Sequence, residues 1–249
     1  MRINILGICG SPRKGNSEFL LKKALNYVSK LNSFDISTEL YSFHNKEFKP
    51  CIACEYCARN AGKCIHNDDF SELKEKWLSA DVILYSIPVY HMSMPGQLKC
   101  FVDRLGNSLF STFKDIFKKE ETDTLPKLLK VIGSISQGIH LFSGQEHAIT
   151  DLINHALLMQ CIPVTGDMWE SYIGVSGWTG NNGKRSALKE SFNEGVFDTC
   201  VAVKAAEKMA LRAVEISVII KSGIYQNKTY FTRQTHYLPL LEKISNELH

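Results

Sequence analysis

The 249-residue sequence lacks any strong excess of one charge and any long apolar run. Its 29 basic residues are nearly balanced by 26 acidic residues, which gives a formal net charge of +3. A chain without a concentrated basic surplus is not expected to bind nucleic acid or an anionic membrane surface. Apolar runs of about 18 residues, which a membrane-spanning helix requires, are also absent. We therefore predict neither a nucleic-acid partner nor a membrane partner.

The sequence also lacks the features of a secreted protein. Its start, MRINILGICG, has no charged segment, apolar core and cleavage site in succession, so we expect a cytoplasmic protein. Thiols stay reduced in that compartment, which makes the eight cysteines a poor disulfide framework. With no repeat, low-complexity tract or linker, the chain is predicted to form one domain over residues 1–221, followed by an extension over residues 222–249.

Apolar segments of strand character alternate with segments of helical periodicity. Strands are predicted at residues 2–9, 35–42, 81–90, 127–136 and 162–167, and helices at 16–31, 69–79, from 95 through 105, 145–160 and 196–221. A glycine-rich loop is predicted at residues 176–186. Strict alternation of five strands with five helices predicts an α/β fold, with a doubly wound parallel sheet covered by helices on both faces.

Doubly wound sheets bind ligands at the carboxyl ends of their strands, and the loop after the first predicted strand reads GSPRKGNSEFL. It has nearly the spacing of a P-loop but carries Asn16 instead of the lysine, and it lacks a G-x-G-x-x-G dinucleotide motif. The loop opens onto a helix N-terminus, whose free N–H groups and dipole favour an anion. Ser11, Asn16 and Ser17 can add side-chain donors, and Arg13 and Lys14 supply positive charge. We predict a site for one terminal phosphate; the alternative is an ordinary strand-to-helix turn.

The loop after the third predicted strand places large side chains at the same edge of the sheet. Pro88 ends the strand with a fixed φ, and Tyr90, His91 and Met92 follow where a flat ring could stack. Tyr90 and His91 are candidate catalytic residues, although a lone histidine near a cleft is more often a structural hydrogen-bonding residue. Asp103 and Arg104, on the next predicted helix, are interpreted as a surface ion pair.

Three stretches, GSPRKGNS, SIPVYHMSMPGQLKCFVDR and the GQE after the fourth predicted strand, resemble the flavodoxin-like NAD(P)H-dependent FMN reductases. The resemblance covers most of residues 1–165. It implies a five-stranded sheet in the order 2-1-3-4-5, with FMN at its carboxyl edge and NAD(P)H as a possible electron donor. The implied FMN-binding residues are Ser11, Arg13, Asn16 and Ser17 at the phosphate, Pro88, Val89, Tyr90, His91, Met92 and Ser93 at the flavin ring, and Ser136, Gln137 and Gly138 at its pyrimidine side.

Four of the eight cysteines lie in the stretch KPCIACEYCARNAGKCIHNDD, within a loop predicted over residues 44–68. The spacing C-x2-C-x2-C-x6-C belongs to Cys51, Cys54, Cys57 and Cys64. Three cysteines at intervals of three can wrap an iron-sulfur cluster, and a fourth cysteine a few residues later can complete its ligands. Zinc sites more often join two C-x2-C pairs across a dozen or more residues. An iron-sulfur cluster, a zinc ion and a loop of free thiols all remain open.

The other four cysteines, Cys9, Cys100, Cys161 and Cys200, lie in predicted strands and helices or at their ends. Cysteine in such positions behaves as a small apolar residue. We therefore predict that these four are structural.

The spacing of the cysteine loop resembles the iron-sulfur flavoproteins, a branch of the same fold in which four cysteines of this loop hold a [4Fe-4S] cluster. This sequence departs from the ferredoxin pattern because no proline follows Cys64. The resemblance implies a homodimer or homotetramer that is reduced by ferredoxin. A hydride donor gives two electrons and a cluster passes one, so a flavin, which can do either, would connect the two.

We therefore hypothesise an FMN-dependent oxidoreductase that couples a [4Fe-4S] cluster to flavin and moves electrons from ferredoxin or NAD(P)H to a small-molecule acceptor. A cluster-free NAD(P)H-dependent FMN, quinone or azo reductase is the second hypothesis, and a non-catalytic electron carrier or redox sensor is the third. The extension contains Tyr225, Tyr230, Phe231, Tyr237 and Leu240, which are too apolar to stay in water. We expect it either at a subunit interface or packed on its own subunit.

Overall fold

The computed structural model describes residues 1–117 and 125–246. At its centre is a parallel sheet formed by β1 (Arg2–Cys9), β2 (Asp35–Ser42), β3 (Val82–Pro88), β4 (Val131–Gly138), β5 (Ile162–Pro163) and β6 (Val175–Trp178). The strand order is β2-β1-β3-β4-β5, and β6 also pairs with β4. The predicted fold class and strand order are therefore confirmed, with one strand more than the five predicted.

Helices cover both faces of this sheet. They are α1 (Asn16–Val28), α2 (Tyr56–Arg59), α3 (Phe70–Ser79), α4 (Gly96–Phe113), α5 (Gln145–Leu158), α6 (Ala187–Asn193), α7 (Phe197–Gln226), α8 (Lys228–Phe231) and α9 (Leu238–Asn246). On one face, α3, α4 and α5 bury apolar side chains against the sheet, and on the other α1 and α7 do so. Across the described ranges, no helix has the length and apolar character that crossing a bilayer would need.

The edge of the sheet next to β4 differs from the prediction. Strand four begins at Val131 instead of residue 127, because Leu129 has a φ of 48° and the N–H of Lys127 donates to His236 O at 2.8 Å. Strand five consists of only two residues, which pair with the start of β4. The β6 strand, which lies partly in the predicted glycine-rich loop, pairs with the second half of β4. The two short strands share one edge position, and neither is long enough to show a strand periodicity in sequence.

The C-terminal region folds back onto the domain. The α7 helix continues to Gln226, past its predicted end at residue 221, so the predicted boundary of the extension lies inside a helix. A small buried cluster joins α7 to α9 through Ile224, Leu241 and Ile244. Residues 222–246 therefore pack on their own subunit, although Tyr230 is still 62% exposed. Residues 247–249 lie outside the described ranges, and both the domain division and a role of the extension at a subunit interface stay predictions.

Charged side chains are buried at the amino edge of the sheet, opposite the edge where ligands are expected. The carboxylate of Asp81 accepts hydrogen bonds from Lys221 of α7, at 3.1 Å, and from Lys243 of α9. Lys130 donates to the carbonyl oxygen of Ala80, and burial lowers the pKa of Lys130 to about 7. These contacts connect the C-terminal helices to the strands β3 and β4.

Candidate functional site

The loop after β1 leads into α1 without a side-chain cap. The residue before α1 is Gly15, which has no side chain to bond the first N–H groups of the helix. Ser17, in the first turn, is 2% exposed, and its buried Oγ has no hydrogen-bond partner among the described residues. Uncapped N–H groups beside an unpartnered hydroxyl fit an anion such as a phosphate.

The other predicted phosphate-binding residues have different surroundings. The Ser11 hydroxyl donates to Arg13 O at 2.7 Å, so it shapes the loop itself. The side chain of Asn16 donates to Lys184 O at 3.1 Å and accepts from the N–H of Leu188 at 3.0 Å. Because both side chains form hydrogen bonds within the protein, Ser11 and Asn16 would bind an anion through their backbone N–H groups. Arg13 is exposed at the loop surface; direct binding of phosphate by these residues stays a prediction.

The loop after β3 forms a tight turn. Tyr90 and Ser93 exchange two backbone hydrogen bonds of 2.9 and 3.0 Å, and between them His91 and Met92 have φ values of 45° and 68°. Left-handed backbone at two successive non-glycine residues is strained, and such strain is commonly found at functional sites. The N–H groups of His91 and Met92 have no partner within the turn, and Tyr90, His91 and Met92 are exposed. The turn therefore presents free donors beside large side chains.

The N-terminal end of α5 holds this turn in place. His147 Nδ1 lies 2.9 Å from Met92 O, and the hydroxyl of Ser93 donates to Asp151. Gly144, with a φ of 94°, lies so close that a Cβ there would be 2.7 Å from Met92 Cα. A side chain at Gly144 would thus displace the turn.

The loop after β4 meets the turn from the neighbouring strand. The N–H of Val89 donates to Gln137 O at 2.8 Å. Ser136 is fully buried, and its Oγ has no hydrogen-bond partner within residues 1–117 and 125–246. Gly138 is required where it stands, since a Cβ there would be 2.5 Å from Cβ of Ser143. The structure thus brings the three predicted loops together at the carboxyl ends of β1, β3 and β4, although their roles in binding FMN stay predictions.

All four cysteines of the loop after β2 line one cavity, with a volume of about 390 Å³. Cys51 is exposed, and Cys54, Cys57 and Cys64 are half-buried. The chain curves around the cavity because Ala53 and Glu55, which alternate with the first three cysteines, have left-handed φ values of 51° and 57°. The predicted cysteine group is thus gathered around a single space.

Arg104 of α4 forms part of the opposite wall of this cavity. Its guanidinium donates to Cys64 Sγ at 3.2 Å and to both carboxylate oxygens of Asp68 at 2.6 and 2.9 Å. Although burial opposes it, Arg104 holds the pKa of Asp68 below its ordinary value. The interpretation of Asp103 and Arg104 as a surface ion pair is therefore wrong: Arg104 is 2% exposed, and Asp103 pairs with Lys99.

The sequence did carry a signal for Arg104. The buried face of α4 includes Leu98, Phe101 and Leu105, and Arg104 lies three residues after Phe101 on that same face. An arginine within an apolar helical stripe requires a buried anionic partner. Asp68 is that partner, and it comes four residues after the last cysteine of the motif.

Gly62 brings the cysteine loop against α4. It has a φ of 80°, and a Cβ there would collide with the carbonyl oxygen of Ser108. Its own carbonyl oxygen accepts hydrogen bonds from the Ser108 hydroxyl and, at 3.1 Å, from Lys74. Burial lowers the pKa of Lys74, while Cys57 and Cys64 act in the opposite direction. Two cationic side chains, Lys74 and Arg104, therefore lie next to the thiols.

The thiols do not converge on a point. Among residues 1–117 and 125–246, no three His, Cys, Asp or Glu side chains are grouped so that they could hold one metal ion. The four thiols instead surround a space beside two cations.

The remaining cysteines only partly match their prediction. Cys9 and Cys161 are buried, and burial raises the pKa of each thiol to about 12, as expected for structural residues. Cys100 and Cys200 are half-buried. Cys100 follows the inward Leu98 by two positions, which turns it toward the flank of α4.

The sheet order defines a flavodoxin-like α/β protein, and three loops meet at the carboxyl edge of its sheet. A sequence model of the NADPH-dependent FMN reductase family matches residues 3–166. The chain belongs to this family, and it is a flavin-dependent oxidoreductase.

Curated relatives are similar to this chain over most of its length. The chain is 43% identical to an iron-sulfur flavoprotein of Methanosarcina thermophila over 177 residues, which cover 71% of this chain and 83% of the relative. It is 30% identical to an iron-sulfur flavoprotein of Methanocaldococcus jannaschii over 190 residues, which cover 76% and 88%. A solved structure of RosB with a bound 8-demethyl-8-formylriboflavin-5'-phosphate intermediate has a TM-score of 0.63 at 16% identity, covering 99% of this chain and 88% of that one; this likeness shows the fold.

Proposed function

We propose that this protein is an FMN-dependent oxidoreductase that couples a [4Fe-4S] cluster to its flavin and moves electrons from ferredoxin or NAD(P)H to a small-molecule acceptor. The observation that carries the proposal is the cavity lined by Cys51, Cys54, Cys57 and Cys64. It follows β2, so it belongs to the same edge of the sheet as the flavin loops. The names of the curated relatives support the cluster.

The chemistry of the cavity fits four thiolates. A cluster bound there would supply one-electron transfer. Arg104 would donate to the thiolate of Cys64, and Lys74 would add a second positive charge nearby. Both cations oppose the accumulation of negative charge that four thiolates create in a half-buried space. The bidentate contact with Asp68 keeps Arg104 oriented.

On the flavin side, the chain contributes backbone donors held in fixed positions. The free N–H groups of His91 and Met92 would bond the polar edge of the flavin ring and stabilise negative charge there. The uncapped start of α1, with the hydroxyl of Ser17, would bind the phosphate. Tyr90 and His91 stay the candidate catalytic residues, since both are exposed beside the ring position.

The first experiment is purification without oxygen, followed by a visible spectrum and analysis of iron and acid-labile sulfide. We expect about four iron atoms and one FMN per chain. Cys54→Ser should lose iron and the broad absorbance at about 400 nm, with FMN retained, because the phosphate loop is a separate segment. Cys100→Ser is the matched control and should keep both. Flavin without iron, or zinc in place of iron, would contradict the cluster.

The electron donor is tested by steady-state assays with NADH, NADPH and reduced ferredoxin. Turnover with NAD(P)H and a quinone or azo compound in protein that contains no iron would favour a cluster-free reductase. Rapid single turnovers without any productive small acceptor would identify a carrier. A cytoplasmic location is part of the proposal, because the cysteine loop needs a compartment that keeps thiols reduced.

A further inference from the structure

The segment over residues 179–188, here called the strap, crosses the carboxyl edge of the sheet. At its start, the N–H of Thr179 donates to Gly138 O at 3.1 Å, and the N–H of Asn181 donates to Ile139 O at 2.9 Å. These bonds attach the strap to the loop after β4. The sequence predicted only a glycine-rich loop here, without a ligand.

The end of the strap is attached to the phosphate loop. Asn16 bonds the backbone of Lys184 and of Leu188, at 3.1 and 3.0 Å. Gly15 is packed so closely that a Cβ there would lie 3.1 Å from Arg185 O and 3.5 Å from Arg185 Cβ. Since β1 and β4 are separated by β3, the strap spans two strand spacings, about 10 Å, along the predicted length of the mononucleotide.

Three buried hydroxyl groups along this edge have no hydrogen-bond partner in the part of the chain that the structure describes. They belong to Ser17 of α1, Ser136 at the end of β4 and Thr179 of the strap, whose exposed fractions are 2%, 0% and 8%. Buried hydroxyl groups are normally hydrogen-bonded, so each indicates a missing polar partner. FMN carries a phosphate at one end, a ribityl chain with hydroxyl groups and a polar ring at the other, and it could supply all three.

The strap also adds charge at the phosphate end. Arg185 is exposed, as are Arg13 and Lys14 of the adjacent loop. The contact with Gly15 places the Arg185 backbone directly beside that loop. The neighbouring Lys184 is directed elsewhere, since its Nζ lies 3.6 Å from Glu190. Arginine presents a planar fork of donors that matches a phosphate. Arg185 is therefore a stronger candidate than Lys184 for binding the phosphate on chemical grounds as well.

We propose that the strap is a fourth FMN-binding segment, in which Arg185 binds the terminal phosphate and Asn16 is a positioning residue that anchors the strap to the phosphate loop. This inference rests on FMN binding in the proposed function and adds a specific phosphate-binding residue to it. Asn16 was predicted to bind the phosphate with its own side chain. Here its side chain acts through the strap instead.

The test compares FMN with riboflavin, which lacks the phosphate, by fluorescence titration of protein freed of flavin. Arg185→Ala should weaken FMN binding by about tenfold or more, the effect of losing one charge-assisted hydrogen bond, and leave riboflavin binding unchanged. Lys189→Ala, an exposed lysine four residues away on α6, is the matched control for loss of charge and should bind both ligands like wild type. FMN affinity of Arg185→Ala within twofold of wild type, or an equal loss in both variants, would overturn the role of Arg185.

The positioning role of Asn16 is tested with a double-mutant cycle. Asn16→Ala should weaken FMN selectively over riboflavin, and Arg185→Ala should add little in that background, because the strap is already released. Additive losses would overturn the anchoring role. Gly15→Ala, which pushes on Arg185 O without touching the Asn16 side chain, is a second route to the same selective loss if Asn16→Ala fails to fold.

Loss of the flavin site and loss of the strap's role give different binding results. Wild-type protein that binds neither FMN nor riboflavin would remove the flavin site itself. If wild-type protein binds FMN tightly and both Arg185→Ala and Asn16→Ala bind it equally well, only the proposed role of the strap is contradicted.

Discussion

Arg104 is a single buried residue whose guanidinium contacts several different groups. Its guanidinium lies between the carboxylate of Asp68 and the sulfur of Cys64, and it also covers the ring of Phe70 at 4.2 Å. Both members of the Arg104–Asp68 pair are almost fully buried. Removing one member of a buried ion pair leaves an uncompensated charge, which costs far more free energy than the pair itself contributes.

We expect Arg104→Met to lower the free energy of unfolding by about 3–5 kcal/mol, because the Asp68 carboxylate would stay buried without its partner. The measurement is urea unfolding at neutral pH, followed by circular dichroism. Lys99→Met is the control, since Lys99 forms an exposed helix pair with Asp103 and should contribute less than about 1 kcal/mol. Equal effects of the two substitutions would show that the buried pair has no special role.

Gly144→Ala tests the support of the strained turn. The new Cβ would meet Met92 Cα at 2.7 Å, at a position whose φ of 94° already disfavours a side chain. We expect a loss of about 1–3 kcal/mol in stability and a shifted flavin spectrum, because the turn moves. Gly223→Ala, in α7 with no atom within 4 Å of the new Cβ, should be neutral or stabilising. An unchanged spectrum in Gly144→Ala would separate the turn from the flavin.

At the scale of elements, long periodic segments were predictable and contacts distant in sequence were not. The bounds of β1 and β2 agree with the sequence prediction residue for residue, and α1 buries apolar residues at helical spacing, namely Leu20, Leu21, Ala24, Leu25 and Val28. The β6 strand was missed because four residues carry no usable period and its pairing depends on β4. The strap and the identity of the partner of Arg104 could not be predicted for the same physical reason: each depends on a residue far away in the chain.

The cysteine loop illustrates the same limit. Its spacing indicated that Cys51, Cys54, Cys57 and Cys64 would act together, and the structure places them around one cavity. The wall that α4 contributes could not be read from the spacing. It depends on how Gly62 fits against Ser108, a contact between residues 46 positions apart.

The charged cluster around Lys130, at the amino edge of the sheet, predicts that the free energy of unfolding depends on pH. Burial lowers the pKa of Lys130 to about 7, so between pH 7 and its ordinary value the unfolded chain holds a proton that the folded protein lacks. Stability should therefore rise with pH in this range, by up to about 1.4 kcal/mol per pH unit. The neighbouring charged and titratable groups are Asp81, Lys221, Lys243 and Cys161.

The measurement is urea unfolding of wild type and Lys130→Met from pH 7 to 8.5, where the two curves should differ in slope and the variant should be flatter. The window stops there because Cys9 and Cys161, whose pKa values burial raises to about 12, act in the opposite direction once unfolded thiols ionise. Parallel curves would mean that Lys130 stays protonated in the fold.

At the scale of the whole molecule, the C-terminal region leaves an apolar surface. Tyr225, Ile219 and Tyr230 are 44%, 69% and 62% exposed, and Ile219 and Tyr230 border a cavity of about 550 Å³ between α7 and the last helices. Exposed apolar side chains beside a cavity are typical of interaction sites. We propose that this surface contributes to the homodimer or homotetramer that the resemblance to iron-sulfur flavoproteins implies.

We expect Tyr230→Lys to weaken self-association by at least about tenfold in sedimentation velocity, because a lysine in an apolar interface loses its hydration without a partner. Phe197→Lys is the control: Phe197 is 77% exposed at the opposite end of α7. If Phe197→Lys alone dissociates the assembly, the extension is not the interface. A wild-type monomer at all concentrations would end the proposal of an oligomer.

The helix α4 has a consequence for chain length. It begins directly after the turn at residues 90–93, and it contributes Arg104, Asn107 and Ser108 to the cysteine cavity. At 1.5 Å and about 100° per residue, one inserted residue between Gly96 and Arg104 would turn the cavity wall away by about 100° while the turn stayed in place. The number of residues from Ser93 to Arg104 is therefore fixed by the two sites. An insertion or deletion there would leave both sequence motifs intact, but the turn and the cavity wall would no longer have their correct relative orientation.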